Sequence, residues 1–536
     1  MKIGIDAREC KKGVYTGLRT ILRDFLDNVH SEEDHEFLFF CNQYTDIESL
    51  PSFGEKVIIQ ESNTFVWDQF LLPRTLLGKK IEVFYSLYAK TSLWRVCPYV
   101  NTISDIIPLK APRHKGFMGF LEKVHFFLYS FICGQRSVKT ITLSQDAKGK
   151  VVRTFGIGPE KIKVVYPSIV LPDVIPDPKD ILMGHGIDKP YFLYVGNFKP
   201  HKNITNLINA YGLLPADIRD RYNLLLVGGS EKELSEIKRK IAGKNLDDKI
   251  IPISNVDTEA VYAFMKGADV FVFPSLAEGF GIPPVEAMAS GVPVASSNLA
   301  PMTETLGDAA VFFDPESPED ISRVLLKLLK EKDLREKCIE EGRKKASIFN
   351  AKEMSEKIMH IIENAGREKS LCISSEFPPV RGGIATHIYN LWSRLPSQER
   401  AILTSRPGSV EYNRDEDMDI IRKSYPLGSD IFSRTIRAIM VIWHVLRQNA
   451  LRNIKRNHCG QVLSAGLAGL LVKKLKGTPY VVYMYSADVL EFSRNFLTNW
   501  IMKKVTSGSE CLIANSVFTK ALITGHGLAP EDKIIV

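Results

Sequence analysis

The sequence of 536 residues is poor in the features that mark secreted, metal-binding and membrane-spanning proteins. Its eight cysteines are scattered, and none forms a C-x-x-C pair or a Cys/His cluster with metal-ligand spacing. No stretch reaches the roughly 18 apolar residues that a membrane-spanning helix needs. The first ten residues, MKIGIDAREC, lack the apolar core of a signal peptide and predict a buried strand instead. A disulfide framework is not expected, and we predict a cytoplasmic protein.

Neither positive nor negative charge dominates the sequence, which has 70 Lys and Arg residues and 62 Asp and Glu residues. An excess of 8 positive charges suits anionic partners such as nucleotides, phosphates or acidic lipid headgroups, without selecting one of them. No RNA- or DNA-binding signature accompanies the excess, so nucleic acid is not an expected partner. With 45% apolar and 25% charged residues the composition is that of an ordinary globular protein.

What the chain has in abundance is an alternation of strand-like apolar runs with helical patterns. From residue 190 to 350, runs such as YFLYVG, NLLLVGG and VFVFP are each followed by a helical segment. Successive βα units of this length predict a doubly wound, Rossmann-like parallel sheet. A second such sheet is predicted near the amino terminus from the runs KIGID, EFLFFC, KVIIQ, VFYS, VNTIS and TITLS. The predicted fold class is therefore α/β.

The pattern restarts after residue 368. The strand, glycine loop and helix at 369–395 repeat the order found at the amino terminus, and the segment 514–536 resembles 142–165 in order and spacing. We favour internal duplication over coincidence. The predicted division is three Rossmann-like domains and one connecting segment: 1–178, 179–350, 351–368 (a crossover helix and linker) and 369–536. By analogy with the first unit, the second would lack its nucleotide-binding half, and we expect a truncation rather than an orphan module.

The most informative segment is SLAEGFGIPPVEAM (275–288), which follows a predicted buried strand and opens a helix. Gly279 and Gly281 permit unusual backbone angles and a close approach of a ligand. Free N–H groups at the carboxyl end of a parallel sheet form a natural seat for a diphosphate. Glu286, predicted in the first helical turn, can accept hydrogen bonds from a ribose diol, and Glu278 can reach a sugar ring. The alternative is a structural turn with capping glutamates.

A second segment, GNFKPHKN (196–203), follows the first strand of the same domain. Lys202 would lie on a βα loop at the carboxyl edge of the sheet, where it can neutralise a leaving diphosphate. The alternative is a solvated basic loop. His201 could act as a base, although we favour a simple polar loop residue. Because both segments belong to one sheet edge, we predict that Lys202 and Glu278 share a site.

On these residues, the chain resembles glycosyltransferase family 4, whose members are retaining enzymes with the two-Rossmann GT-B fold. The pair Glu278 and Glu286 is similar to the family's E-x7-E motif. The run 194–203 is similar to its donor-phosphate loop, particularly in mannosyltransferases of bacterial polysaccharide and O-antigen assembly. In the second unit, PP at 378–379 and GGI at 382–384 resemble the family's opening loop. The resemblance implies two Rossmann-like domains facing a cleft, followed by the amino-terminal half of a second GT-B unit.

The resemblance also implies roles for individual residues. Glu286 would bind the ribose, Glu278 would contact the donor sugar as a catalytic residue, and Lys202 would hold the diphosphate. Asp105 would complete the catalytic set from the first domain. The other implied donor-binding residues are Gly279, Phe280, Gly281, Ile282, Asn197 and Val256, the last lying against the base.

The sequence departs from the family's pattern at two kinds of position. Asn197 stands where members often carry Arg, so the phosphate site has one cation fewer. The family's His-Asp pair reads Ser104-Asp105 in the first unit, and the corresponding aspartate of the second unit, Asp488, is also without the histidine. The missing histidine usually lines the reaction centre from the acceptor side, whereas the donor site does not depend on it.

The reaction implied by the resemblance is transfer of a hexose, with mannose from GDP-mannose as the favoured choice, to a growing and lipid-linked bacterial glycan. No Asp-x-Asp pair stands where it could hold Mg²⁺ beside the diphosphate, so neither a metal nor another cofactor is expected. Lys202 and helix-terminal amides would meet the charge of the leaving group. Two alternatives remain open, which are a sugar-nucleotide epimerase of the same fold and a second unit that serves as a non-catalytic binding module.

Two stretches, 113–136 and 432–456, mix aromatic residues with Lys, Arg and His at helical spacing. Each could lie on an anionic membrane surface, which would suit a lipid-linked acceptor at the inner face of the cell membrane. The competing interpretation, which we slightly favour, is a core-facing helix with a basic solvent side.

Overall fold

Three separate parallel sheets make up the computed structural model. It describes residues 1–12, 16–29, 35–89, 91–110, 116–244, 246–396, 399–405, 419–426 and 431–536, without the side chains of 431, 432 and 434. The first three residues of the predicted surface helix at 113–136 therefore lie outside the described residues. The three sheets confirm the predicted α/β class and the presence of a third Rossmann-like sheet.

The first sheet has seven strands in the order β3-β2-β1-β4-β5-β6-β7. They are β1 (Lys2–Asp6), β2 (Glu36–Cys41), β3 (Glu55–Ile58), β4 (Val83–Ser86), β5 (Tyr99–Thr102), β6 (Lys139–Thr142) and β7 (Ile162–Val164). The order reverses between β1 and β4, and the crevice beyond the carboxyl ends of such strands is where doubly wound sheets bind ligands. Six of the strands were predicted. The edge strand β7 was missed because only its first residue is fully buried, which leaves no apolar run to recognise.

The helices of the first domain cover both faces of this sheet. They are α1 (Gly17–Asn28), α2 (Thr64–Val66), α3 (Leu72–Gly78), α4 (Ile107–Lys110), α5 (Gly116–Arg136) and α6 (Gln145–Phe155). Local capping explains where two of them begin. The Thr16 hydroxyl accepts from the Arg19 N–H at the start of α1, and the Ser144 hydroxyl accepts from the Ala147 N–H at the start of α6. Helix α6 ends at Gly156, whose φ of 59° is left-handed.

The second sheet has six strands in the order β10-β9-β8-β11-β12-β13, and all six were predicted. They are β8 (Tyr191–Val195), β9 (Asn223–Val227), β10 (Ile250–Ile253), β11 (Val270–Phe273), β12 (Val294–Ser297) and β13 (Ala310–Phe313). Its helices are α7 (Pro178–Gly184), α8 (Ile204–Gly212), α9 (Ala216–Arg221), α10 (Glu231–Ala242), α11 (Thr258–Gly267), α12 (Ile282–Ala289), α13 (Met302–Leu306), α14 (Pro318–Lys330) and α15 (Lys332–Ala346). The strands are apolar and largely buried because helices pack on both faces.

A long helix returns the chain from the second domain to the first. Helix α16 (Ala351–Gly366) packs on α1 and beside β4. Glu363 near its end pairs with His35 at 3.2 Å. At Gly366 a Cβ would lie 2.7 Å from Met1 and 3.0 Å from Val83, so only glycine allows this close approach. Buried side chains of both domains and of α16 form one continuous apolar core.

The third sheet repeats the strand order of the first, as β16-β15-β14-β17-β18-β19-β20. Its strands are β14 (Lys369–Ile373), β15 (Arg400–Ser405), β16 (Ile420–Lys423), β17 (Ile454–Cys459), β18 (Tyr480–Met484), β19 (Leu512–Ala514) and β20 (Ile534–Ile535). Its helices are α17 (Gly383–Ser393), α18 (Ile431–Leu451), α19 (Ser464–Lys476), α20 (Ser486–Phe492), α21 (Phe496–Gly508) and α22 (Val517–Gly525). Equal strand number and order are what a duplicated domain would have, and the predicted boundaries stay predictions.

Candidate active site

Two loops at the carboxyl edge of the second sheet are tied together by their backbones. The Leu276 N–H donates to the His201 carbonyl at 2.8 Å. The Asn203 side chain donates to the carbonyls of Pro274 at 3.1 Å and Pro315 at 2.7 Å. Asn203 itself is left-handed, with φ of 60°, a conformation that asparagine tolerates well. These bonds fix the backbone on either side of the two predicted catalytic side chains.

The structure brings Lys202 and Glu278 into one buried ion pair. The Lys202 Nζ lies 2.5 Å from Glu278 Oε1, and the two side chains are 10% and 12% exposed. The ammonium also sits 5.1 Å from the centre of the Phe273 ring. The alternative of a solvated basic loop is therefore wrong. Burying such a pair costs desolvation free energy that their attraction barely offsets, so the arrangement is weak support for stability and points to a binding role.

The surroundings of His201, next to this pair, favour its neutral form. Burial, with the neighbouring Lys202 charge, lowers the pKa of His201 below its ordinary value. Its carbonyl is already used by the Leu276 N–H.

The glycine loop that follows β11 ends in a helix start with free donors. Gly281 has φ of 92°, and a Cβ there would lie 2.2 Å from the Met302 methyl carbon, so the position requires glycine. The first helical turn contains Pro283 and Pro284, as predicted. Among the described residues, no acceptor receives the backbone N–H groups of 279–282. A helix start with unpaired N–H groups favours an anion.

Glu286 is the fifth residue of α12 and so lies in its second turn, which corrects the prediction of the first turn. Its position at the helix terminus therefore stabilises its charge less than expected, because that effect fades beyond one turn. The Tyr262 hydroxyl donates to Glu286 Oε1 at 2.7 Å. Burial raises the pKa of Glu286, and the nearby Asp24 carboxyl adds to the rise. Tyr262 thus fixes the orientation of one carboxyl oxygen.

The first domain closes directly over the glycine loop. A Cβ on Gly279 would lie 2.7 Å from the Ser104 carbonyl oxygen and 3.2 Å from the Asp105 Cβ, which explains the glycine by contact across the cleft. The Ser144 hydroxyl donates to the Gly279 carbonyl at 2.7 Å. The predicted donor loop and the predicted Asp105 therefore belong to one site between the domains.

Asp105 is held by its own loop and faces the ion pair. Its carboxylate accepts from the Ile107 N–H at 2.8 Å and from the Ser104 hydroxyl at 3.2 Å. Burial raises the pKa of Asp105, and the charge of Glu278 raises it further. The three predicted catalytic residues are thus near enough to influence one another's charge.

A contact that the sequence did not reveal joins the two domains beside the site. The Glu304 carboxylate, on α13, accepts from the N–H groups of Gln145 at 2.7 Å and Asp146 at 2.9 Å. It also accepts from the Tyr166 hydroxyl at 2.9 Å, and together with burial this raises the pKa of Tyr166 to about 12. A carboxylate of one domain therefore caps a helix of the other. Nothing in the sequence pairs residues so far apart in the chain.

The remaining predicted donor-binding residues have mainly structural surroundings. The Phe280 ring is 2% exposed and packs on Phe349 at 5.2 Å, so only its backbone can serve a ligand. The Asn197 side chain accepts from the Lys199 N–H at 3.3 Å within its own loop. Ile282 lies against Gly17 of α1, 3.0 Å from where a Cβ would stand. Val256 is half-buried between β10 and α11.

A second polar group, also missed from the sequence, lies at the switch point of the first sheet. Arg8 pairs with Asp6 through two hydrogen bonds of 2.9 and 2.7 Å and with Asp68 at 2.9 Å. Its guanidinium stacks 3.5 Å above the Trp67 ring. Burial acts against ionisation, but the charge and hydrogen bonds of Arg8 hold the pKa of Asp6 below its usual value. Next to this group is a cavity of about 50 Å³ whose lining includes Asp6, Arg8 and Tyr88.

Helix α5 presents its apolar side chains to solvent, contrary to the favoured core-facing interpretation. Phe117 is 73% exposed and Phe120 is 59% exposed, whereas small residues such as Gly119 and Ser130 are buried. In the described ranges, no helix combines the length and apolarity that crossing a membrane requires. No group of three or more His, Cys, Asp or Glu side chains in these ranges is arranged to hold a metal ion, and the expectation that the reaction needs no metal stays a prediction.

The fold and the candidate site define a glycosyltransferase of the GT-B type, with two Rossmann-like domains that meet over a glycine loop. Comparison with protein families agrees, because residues 183–345 match the family model of glycosyl transferases group 1 and residues 381–536 match that of glycosyltransferase family 4. The chain therefore carries a glycosyl transferases group 1 domain around the second sheet and a glycosyltransferase family 4 domain around the third.

Two relatives of the chain are named as mannosyltransferases. The chain is 27% identical over 375 residues to O-antigen chain mannosyltransferase B of Escherichia coli, covering 65% of this chain and 96% of that protein. It is 31% identical over 215 residues to O-antigen chain mannosyltransferase RfbU of Salmonella typhimurium, covering 40% of this chain and 56% of that protein. It thus spans nearly all of the first relative and about half of the second.

Among solved structures, Anabaena HepE in complex with UDP-glucose superposes with a TM-score of 0.53. The identity is 16%, and the match covers 67% of this chain and 99% of that one. At this identity the likeness concerns the fold alone. A match over this share of the chain agrees with a two-domain GT-B fold followed by a further domain.

Proposed function

We propose that the first two domains transfer a hexose, with mannose from GDP-mannose as the favoured donor, onto a growing bacterial polysaccharide. The observation that carries this proposal is the buried Lys202–Glu278 pair, which lies beside Asp105 and the unpaired N–H groups of 279–282. The names of the two relatives support mannose and an O-antigen chain.

In this proposal the donor diphosphate lies at the start of α12. The N–H groups of 279–282 and the Lys202 ammonium meet its charge, which grows as the bond to the sugar breaks. Glu286, oriented by Tyr262, accepts hydrogen bonds from the ribose hydroxyls. Glu278 then serves two groups, because its carboxylate pairs with Lys202 in the resting site and contacts the sugar when the donor binds. No metal is part of the proposal.

The reaction moves a hexosyl group between two oxygen atoms. The bond between the anomeric carbon and the diphosphate oxygen breaks, and the acceptor hydroxyl oxygen bonds to the same carbon. The hydroxyl proton leaves with the diphosphate. We propose that the acceptor attacks on the face that the nucleotide leaves, so that the anomeric configuration is retained. The closed contact of Gly279 with Ser104 and Asp105 excludes water from this centre and limits hydrolysis of the donor.

We assign the acceptor sugar to the cavity beside Arg8 and Asp6. Charged and hydroxyl-bearing side chains line it, and these suit the hydroxyl groups of a glycan. The exposed aromatic residues of α5 belong to the same domain, and we propose that they rest on a membrane surface that carries a lipid-linked acceptor.

The test is a panel of GDP-, UDP- and ADP-sugars incubated with the full chain, with and without a mannose-terminated glycan. We expect nucleotide release from GDP-mannose that depends on the glycan. An isomerised sugar nucleotide formed without any acceptor would support the epimerase instead. If no nucleotide sugar stabilises the protein against heat, the assignment of the glycine loop is wrong.

A further inference from the structure

The first and third domains meet at a cavity of about 50 Å³ whose lining includes four basic side chains among neutral polar and apolar residues. The first domain contributes Gln135 and Lys161, and the third contributes Lys423, Arg447 and Arg452. None of these residues belongs to the donor loop or to the cavity beside Arg8. A volume of this size admits a few waters or a single small group such as a phosphate, since about 10–15 Å³ of such space is enough for one water.

Two cations converge on one stretch of backbone from opposite domains. The Arg447 Nη2 donates to the Gln135 carbonyl at 3.1 Å and to its side-chain oxygen at 2.8 Å. The Lys161 Nζ donates to the carbonyls of Gly134 at 2.8 Å and Gln135 at 3.1 Å. Both charged groups therefore bind neutral oxygen atoms. Arg447 belongs to the stretch 432–456, for which the sequence left a membrane surface open and slightly favoured a core-facing helix, and its guanidinium lies in this junction.

A buried carboxylate of the third domain, that of Asp419, is shared by three cations. Asp419 lies 3.0 Å from the Lys369 Nζ and 3.6 Å from the Lys139 Nζ, and it contacts the Arg452 guanidinium. Its pKa, which burial would raise, is held well below the ordinary value by these charges. Among the described residues that line the cavity, one is acidic, the exposed Glu160. In the described part of the junction, positive charge therefore exceeds negative charge by several units.

The excess of positive charge at the junction raises the free energy of the folded protein. Burial, with the charge of Arg447, lowers the pKa of Lys161 well below its usual value, and burial lowers that of Lys139 to about 8. Arg95, whose pKa burial lowers to about 9, keeps one buried Nη without a hydrogen-bond partner. Buried cations without anions are unfavourable, and an anion that enters the cavity would offset that cost.

We infer that this junction cavity is a binding site for a phosphate group, held by Lys161 of the first domain and by Arg447 and Arg452 of the third. Guanidinium groups and an ammonium arranged around one small cavity match the oxygen atoms of a phosphate. A bound phosphate would bridge the two domains and fix their arrangement. The phosphate can be a free ion or the headgroup of a phospholipid, since α5 with its exposed aromatic residues ends at Arg136 beside the cavity.

The test is isothermal titration calorimetry of the full chain with inorganic phosphate and pyrophosphate, with flotation on phosphatidylcholine vesicles with or without phosphatidic acid as the second arm. The test variant is Lys161→Gln with Arg447→Gln. The matched control is Lys503→Gln with Lys504→Gln, which removes two exposed charges from α21. We expect the test variant to weaken phosphate binding by about tenfold or more, because both charge-assisted contacts are lost, and the control to leave it unchanged.

Loss of inorganic phosphate binding in the test variant would identify a free phosphate site. Loss of binding to phosphatidic acid vesicles alone would identify a lipid headgroup. Absence of both kinds of binding in the wild type, or equal weakening in the control, would overturn the inference. Binding of GDP, measured separately, reports on the donor site, so failure here is distinct from failure of the proposed function.

A second variant makes the inference independent of how the double variant folds. Without phosphate, Lys161→Met should raise the midpoint of thermal unfolding, because it removes a buried cation. With saturating phosphate the wild type should become the more stable of the two, since the ligand binds only an intact site. A variant that stays equally stabilised by phosphate would contradict the assignment.

Discussion

The first and third domains have the same sheet, but their equivalent aspartates have different surroundings. Asp105 follows the fifth strand of the first sheet and lies against the glycine loop of the second domain. Asp488 follows the fifth strand of the third sheet, where its carboxylate accepts from the Tyr485 N–H of its own loop at 3.3 Å. The comparison teaches that the seven-stranded sheet of the first domain contributes one wall of the candidate site, and that the buried Lys202–Glu278 pair opposite it comes from the second domain.

The second helix after the fifth strand is similar in the two domains. In the first domain α5 exposes Phe117 and Phe120, and in the third domain α21 exposes Phe496 (88%) and Trp500 (53%). Exposed aromatic residues are therefore common to both domains, whereas the buried Lys202–Glu278 pair faces only the first. Both domains therefore expose aromatic side chains on this helix. Whether the third domain takes part in catalysis is a separate question, which variants of the two sites can answer.

The largest effect is expected from the ion pair. Lys202→Met should lower kcat by about 100-fold or more, because the leaving diphosphate loses its buried cation. The neighbouring exposed Lys199→Met is the matched control and should change kcat less than about twofold. Steady-state transfer assays with each variant provide the measurement, and equal losses in the two would show that the loop acts through general charge.

A smaller loss is expected from Glu286, the carboxylate that we propose binds the ribose. Glu286→Gln should raise the KM for the donor by about tenfold, since a hydrogen bond to a charged group is replaced by a neutral one. Tyr262→Phe removes only the bond that orients Glu286 and should cost less. Donor titrations of both variants check this order. A reversal, with Tyr262→Phe the worse of the two, would mean that the tyrosine itself contacts the donor.

The contact between domains should have a moderate effect on closure. Glu304→Gln weakens the cap on α6, and we expect kcat/KM to fall by about fivefold to tenfold, because the closed cleft becomes less populated. Glu340→Gln, on the exposed face of α15, is the control and should be silent. Kinetics with both substrates varied would report the change, and wild-type kinetics in Glu304→Gln would show that closure does not depend on this contact.

The smallest effect concerns stability and sharpens the comparison of the two aspartates. Burial raises the pKa of Asp488 to about 6 from 3.8, so the folded state holds its proton more tightly than the unfolded state. Stability contributed by the protonated form is therefore present below pH 3.8 and is lost as pH rises through 6. Asp488→Asn should be stabilising by about 1 kcal/mol at pH 7.5, with partial exposure limiting the gain, and the gain should vanish near pH 4.

Thermal unfolding at the two pH values measures this gain. A gain that is the same at both would exclude titration as its cause. Transfer activity should be unaffected by Asp488→Asn at either pH, because the third domain supplies no residue to the proposed site.

Much of this architecture could be predicted from the sequence, because buried parallel strands leave continuous apolar runs such as EFLFFC and NLLLVGG. The strand β7 left no such run. The Lys202–Glu278 pair was foreseeable, since both loops follow strands of one sheet and their carboxyl ends share an edge. The helix position of Glu286 was predicted too early by one turn, because the glycine loop extends through Gly281 before the helix begins.

What the sequence did not reveal depends on contacts between residues far apart in the chain. In the sequence, Glu304 is an ordinary residue of a short helix. Its partners on α6 and at Tyr166 come close to it only because the first and second domains pack together. Arg8 near the amino terminus carries no spacing signal that links it to Asp68. Such groups are assembled by tertiary packing, and local periodicity contains no information about them.

The central claim is that the first two domains form the active centre. The most direct test is mass spectrometry of a mannose-terminated glycan after incubation with GDP-mannose and the wild type, Lys202→Met or Asp488→Asn. We predict that the wild type and Asp488→Asn each add hexose to the glycan, and that Lys202→Met does not. Addition of hexose by Lys202→Met, together with its loss in Asp488→Asn, would contradict the account and move the chemistry to the third domain.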